Sequence, residues 1–167
     1  MNKDSPENIL DPVIHMREDY LHIKKQLISL CKIAQQKCVD SAKSALNEAQ
    51  QALNEYGPNK DRYDSFREQL IGRRDMFAAQ YQKALTEMNI LERINPKDLK
   101  ETVEFGAIVI SDISKFIIAI SAGKIELDGF VYYAISPAVP LFKAMEGLKS
   151  GQSFEFNGRK QTIKELY

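Results

Sequence analysis

The sequence predicts an α+β protein: a long antiparallel α-helical coiled-coil hairpin, followed by a small antiparallel β domain with one short helix. Three observations predict it. Glycine and proline divide the chain unevenly: between Val13 and Asn95 stand one proline, Pro58, and two glycines, Gly57 and Gly72, whereas six of the eight glycines follow Thr102. The first part is rich in Ala, Gln, Glu, Lys and Leu, residues of high helix propensity. The second part changes to short β-branched and aromatic runs separated by turn pairs, the pattern of strands. Residues 1–96 therefore read as an N-terminal helical extension and a hairpin, and 97–167 as the β domain.

In the first helix Tyr20, Ile23, Leu27, Leu30, Ala34 and Cys38, then Ala42, Ala45, Ala49, Ala52 and Tyr56, step by threes and fours, the spacing of a coiled-coil seam. Gly57-Pro58-Asn59 is the natural turn, because neither glycine nor proline favours continuing a helix. In the second helix the facing stripe is Tyr63, Phe66, Leu70, Phe77, Tyr81, Leu85, Met88 and Leu91. Counting back from the turn sets Gly72 near Ala45, and small residues there predict a close approach of the helices. At 1.5 Å per residue the arms reach roughly 45–65 Å. Such a rod has too little core to be globular, so it projects or lies against something. Asn95-Pro96 ends the second helix, since proline disfavours helix in the residue before it.

Strands are predicted over 107–110, 116–120, around Ile125 and Leu127, and over 130–136. Asp128-Gly129 and Asn157-Gly158 are two-residue hairpin signals. A short helix runs from Pro140 to Leu148, and the pairs Phe154/Phe156 and Ile163/Leu166 flank the last turn. A domain of this size is marginal but viable alone.

Composition excludes several classes. Twenty-three basic and 23 acidic residues give zero net charge, unlike a general nucleic-acid coat. No run approaches the roughly 18 apolar residues of a membrane span, and MNKDSPENILDP has no apolar signal core; a cytoplasmic location is the expectation. Cys31 and Cys38 are seven apart on one helix, roughly 10 Å by helical rise, too far for a disulfide, and read as two thiols near the seam. His15, Asp19 and His22 share a helical face but offer only two imidazoles and one carboxylate, short of a structural zinc set. No glycine-rich phosphate loop, Cys-x-x-Cys or nucleophile motif is present.

The run ISPAVPLFKAMEGLKSGQSFEFNG at 135–158, with FGAIVI at 105–110 and Gly123-Lys124-Ile125, resembles the carboxy-terminal domain of the bacterial Gre transcript-cleavage factors. The order of a hairpin and then a β domain of the FK506-binding-protein type is similar too. The first helix differs in an added stretch before Tyr20. The resemblance implies an accessory factor without enzyme activity of its own. Its β domain docks at the rim of the secondary channel of RNA polymerase, and its hairpin tip reaches the polymerase active site and the nascent RNA. There two tip acids help to hold a polymerase Mg²⁺ that activates cleavage of backtracked RNA. Two metals can stabilise both oxygens of such a displacement, and Mg²⁺ keeps several waters, so one or two borrowed carboxylates suffice.

The tip of the family reads roughly Gly-Asp-x-x-Glu-Asn, and here it reads Gly57-Pro58-Asn59-Lys60-Asp61-Arg62. Gly57 matches, Pro58 replaces the first acid, Asp61 stands for the second, and Arg62 replaces Asn. Asp61, Asp64 and Glu55 are the candidate tip acids; the plainer reading is that Asp61 and Asp64 favour the positive end of the helix dipole. Lys60, Arg62, Arg67, Arg73 and Arg74 are candidate RNA contacts or an ordinary solvated face. The docking residues implied are Tyr133, Ile135, Ser136 and Pro137; Ser136-Pro137 match, while Tyr133 and Ile135 depart from the small or acidic residues usual there. Three functions stay open: stimulation of cleavage, occupation of the channel without cleavage, and, from a different class, a prolyl isomerase or chaperone-like module on a helical hairpin.

Overall fold

The structure, a computed structural model, describes residues 12–167, with side chains from Met16 onward; of the added stretch expected before Tyr20, residues 1–11 lie outside the described residues and the rest belongs to the first helix. Helix α1 (Pro12–Tyr56) and helix α2 (Ser65–Glu92) form the hairpin. At 1.5 Å per residue their 45 and 28 residues span about 67 Å and about 42 Å. The difference is used at the base, where α1 runs on past the end of α2 to lie on the β domain.

The seam of α1 departs from the expected one by one position at two places. Val39 is buried in place of the exposed Cys38 and Leu53 in place of the exposed Ala52, whereas Ala49 is buried as expected. Alanine is compatible with either side of a helix, so the Ala series could not discriminate. The larger Val39 and Leu53 bury more apolar surface and decide which face turns inward. Cys31 is buried and Cys38 exposed, so the two thiols do not share a face. A polar bridge crosses the seam: Gln35 Nε2 donates to the Ala84 carbonyl at 2.9 Å and to Glu87 Oε2 at 3.2 Å. In α2 only Ala84 and Leu91 are buried. Gly72 is exposed, with nothing within 4 Å of where a Cβ would stand, so the close approach expected there does not occur.

The β domain contains β1 (Ile108–Ser111), β2 (Lys115–Ile118), β3 (Gly123–Leu127), β4 (Phe130–Ile135), α3 (Pro140–Met145), β5 (Ser153–Phe156) and β6 (Arg159–Leu166). The strand order is β3-β4-β2-β1-β6-β5. All pairs are antiparallel except β2 with β4; the hairpin signals in the sequence gave no hint of this parallel pair. Both predicted two-residue turns form, with positive φ at both central residues, Asp128 and Gly129, then Asn157 and Gly158, as a type I′ hairpin requires. Helix α3 stops three residues early because Glu146 is extended (ψ 130°) and Gly147 is left-handed (φ 75°).

Strand alternation divides the core into two layers. Ile108, Ile117, Ile125 and Tyr132 face the hairpin base, against Leu27, Ile28, Cys31 and Leu91. Val109, Phe116, Ile118 and Ile163 face α3, against Phe142 and Met145. A buried lysine ties α1 to the linker at the junction: Lys24, fully buried, donates to the Asp98 carbonyl in the segment linking α2 to β1. Among the described residues no helix is long and apolar enough to cross a membrane.

Candidate docking groove and hairpin tip

The tip is an eight-residue turn, 57–64, between the two helices. Gly57 takes φ +85°, a left-handed helix stop that suits glycine. Asp64 caps α2 and is almost fully buried (8% exposed). Its Oδ1 accepts from the Arg67 backbone N–H at 3.1 Å and the Tyr56 hydroxyl at 2.9 Å. Its Oδ2 accepts from the Lys60 backbone N–H at 3.0 Å and the same hydroxyl at 3.2 Å. The backbone N–H of Lys60, then that of Arg67 and the Tyr56 hydroxyl, hold its carboxyl below the usual carboxylate range. This carboxylate closes the turn by joining both helices and the loop.

The other tip acids are exposed. Asp61 Oδ1 accepts from the Tyr63 backbone N–H at 2.8 Å, and Glu55 Oε1 accepts from Gln51 Nε2 at 2.7 Å. Metal coordination needs lone pairs turned outward, which Asp61 and Glu55 can offer and Asp64 cannot. Among the described residues no group of three or more His, Cys, Asp or Glu side chains is placed to hold a metal ion; the His15 side chain lies outside them.

Of the basic residues, Lys60 Nζ lies 4.1 Å from the centre of the Tyr56 ring, Arg67 Nε donates to the Gly57 carbonyl at 3.0 Å, and Arg62 is exposed. Arg73 lies over Phe77 at 5.7 Å, and Arg74 pairs with its neighbour Asp75. Tyr63 and Phe66, expected in the seam, are instead 83% and 54% exposed. Tyr63 precedes α2, and Phe66, in its first turn, meets only the edge of the hairpin, its ring centre 5.2 Å from that of Tyr56.

The implied docking residues lie at the other end of the molecule, at the exit of β4. Tyr133 is 37% exposed and Ile135 half-buried. Ser136 Oγ accepts from the Ala138 backbone N–H at 3.1 Å, and the Ser136 carbonyl accepts from Val139 N–H at 3.2 Å. The serine thus organises the turn into α3, with Pro140 at its start, where proline's missing N–H costs nothing. Ser136 and Pro137 line one side of a groove of about 820 Å³. Lys83, Glu87 and Ile90 of α2, with Arg93 just past its end, line the other side, and Phe105 and Ile120 also contribute. Tyr133 and Ile135 do not line it. The α2 side was missed in the sequence, although 83, 87 and 90 share one helical face by their spacing.

No protein-family model matches the chain, and comparison with curated proteins finds no significant match. Among solved structures the chain is similar to one described as the transcription factor Gfh1, at 20% identity and TM-score 0.34, covering 81% of this chain and 90% of that one. It is also similar to GreA factor homolog 1 (Gfh1) of Thermus thermophilus, at 19% identity and TM-score 0.33, covering 81% of this chain and 94% of that one.

Proposed function

We propose that this protein is a regulator of bacterial RNA polymerase that docks by its β domain at the rim of the secondary channel and inserts its hairpin into that channel. The observation that carries this reading is the joining of the Ser136-Pro137 turn to the face of α2 in one groove. A partner seated there contacts both the β domain and the hairpin, and so sets the direction in which the hairpin projects. The protein acts as an accessory and contributes no cofactor of its own.

The tip supports occupation of the channel without cleavage. Pro58 has no carboxylate to offer, and Asp64 spends its oxygens on four internal contacts. A second reading, stimulation of cleavage, rests on Asp61 and Glu55, which are exposed and could share a polymerase Mg²⁺. The deciding experiment adds the protein to stalled, backtracked elongation complexes. Channel occupation predicts reduced RNA synthesis with no shortening of the 3′ end. Shortened RNA, lost in the Asp61→Ala variant, would establish the second reading. If a model peptide's prolyl bond isomerises faster with the protein and polymerase is ignored, both readings fail in favour of the isomerase.

A further inference from the structure

At the junction of α1 with the β domain, away from the groove and the tip, lies a pocket of about 200 Å³ that the function above does not use. Its walls are aromatic: Tyr20 from α1, Phe130 and Tyr132 from β4, and the last described residue, Tyr167. Tyr20 and Tyr167 stack with ring centres 4.1 Å apart. Two carboxylates line it, Asp128 of the β3–β4 turn and Glu165 of β6. One ammonium is already present: Lys115 Nζ lies 3.6 Å from the centre of the Phe130 ring and 5.5 Å from that of Tyr132. The Tyr167 hydroxyl is buried without a hydrogen-bond partner; the Tyr132 hydroxyl stands beside it, but no bond of good geometry joins them.

Ring faces carry partial negative charge and attract cations, most strongly where water is excluded. Here that attraction is joined by two carboxylates against a single ammonium, which leaves the pocket short of positive charge. We propose that this pocket is a binding site for an organic cation, an alkylammonium group held against the Phe130 and Tyr132 rings and countered by Glu165 and Asp128. Lys115 shows that the Phe130 ring accepts such a group. Lys115 is also the entering cation's competitor, because two ammonium groups repel each other. Glu165 lies close enough to the Tyr20, Tyr132 and Tyr167 phenols to push up the pKa of each, alongside the larger effect of burial; the carboxylate and the phenols therefore converge on one place. A ligand N–H also gives the orphan Tyr167 hydroxyl a hydrogen-bond donor. The cation could be a free amine or the lysine of a partner protein, and the two share this chemistry.

The test is titration of the full chain by calorimetry with n-butylammonium chloride and, separately, with a blocked lysine peptide, both against equal sodium chloride. Saturable binding of either probe is expected, butylammonium alone pointing to a small amine and the peptide alone to a partner's lysine. Phe130→Ala, at a half-exposed position that leaves the core intact, should weaken binding about fivefold or more, and Glu165→Gln should weaken it too. Lys115→Met should tighten it, the outcome a purely structural lysine would not produce. Absence of binding beyond the salt control, an unchanged affinity in Phe130→Ala, or a loss of affinity in Lys115→Met (the mark of an anion site) each overturns the proposal. Polymerase docking is unaffected by any of these results, since no residue of the pocket lines the groove.

Discussion

At the residue scale, two buried polar side chains hold the hairpin in place, one at each end. Asp64 at the tip satisfies backbone donors that the start of α2 would otherwise leave without partners and ties in Tyr56 from α1. Asp64→Ala should cost about 1–2 kcal/mol, at the upper end for a lost cap, because a cross-helix bond goes with it. Hydrogen exchange should speed up over 60–68 and stay unchanged in the β domain; uniform loss of protection would contradict this. At the base, Lys24 has its pKa lowered to about 8, first by burial. The unfolded chain holds that proton to about pH 10.4, so between these values the folded state binds fewer protons and gains stability as pH rises. Cys31 opposes this: burial pushes its thiol up to about 11, and its contribution falls as pH rises above about 8.5. Comparing the wild type with Lys24→Met cancels the cysteine. The Tm difference should move in favour of the wild type from about pH 7.5 to about pH 10, and a flat difference would refute the buried-amine account.

At the scale of elements, the hairpin is held by a narrow seam and most of α2 is solvated. Leu53→Ala should destabilise by about 2–3 kcal/mol, near the low end for buried leucine because the rod can close around the gap. Ala52→Gln on the exposed face should change urea stability by less than about 0.5 kcal/mol. Equal effects would restore the seam first read from the alanines. Gly72→Ala should stabilise by about 0.5–1 kcal/mol, because glycine weakens a helix interior and a Cβ meets nothing within 4 Å there. A destabilised variant would show that some contact does need the glycine. These cases mark what was legible in the sequence. Helices, turns and the two I′ hairpins were readable because breakers and turn pairs act locally. The exact face of α1 was not, because alanine carries too little apolar area to choose between neighbouring positions. The parallel β2–β4 pair and the α2 side of the groove were hidden because they arise from elements distant in the chain.

At the scale of the whole molecule, the β domain and the hairpin are one construction. The base of α1 supplies part of the core on one sheet face, so the rod is fixed by the same apolar contacts that stabilise the domain. The candidate tip acids were legible as residues, but not their roles: only the fold shows Asp64 turned inward as a cap while Asp61 stays exposed. The Ser136-Pro137 turn was legible, whereas its joining to α2 in a groove was not.

The central claim is that this groove seats RNA polymerase. Ala138 lines it and is exposed, so Ala138→Arg obstructs the groove without disturbing the core. The most direct measurement is the affinity of core RNA polymerase for fluorescently labelled protein, wild type against Ala138→Arg, with Tm measured alongside. The account predicts saturable binding by the wild type, at least about tenfold weaker in the variant at an unchanged Tm. Absence of wild-type binding, or equal affinity of the two proteins, would contradict it.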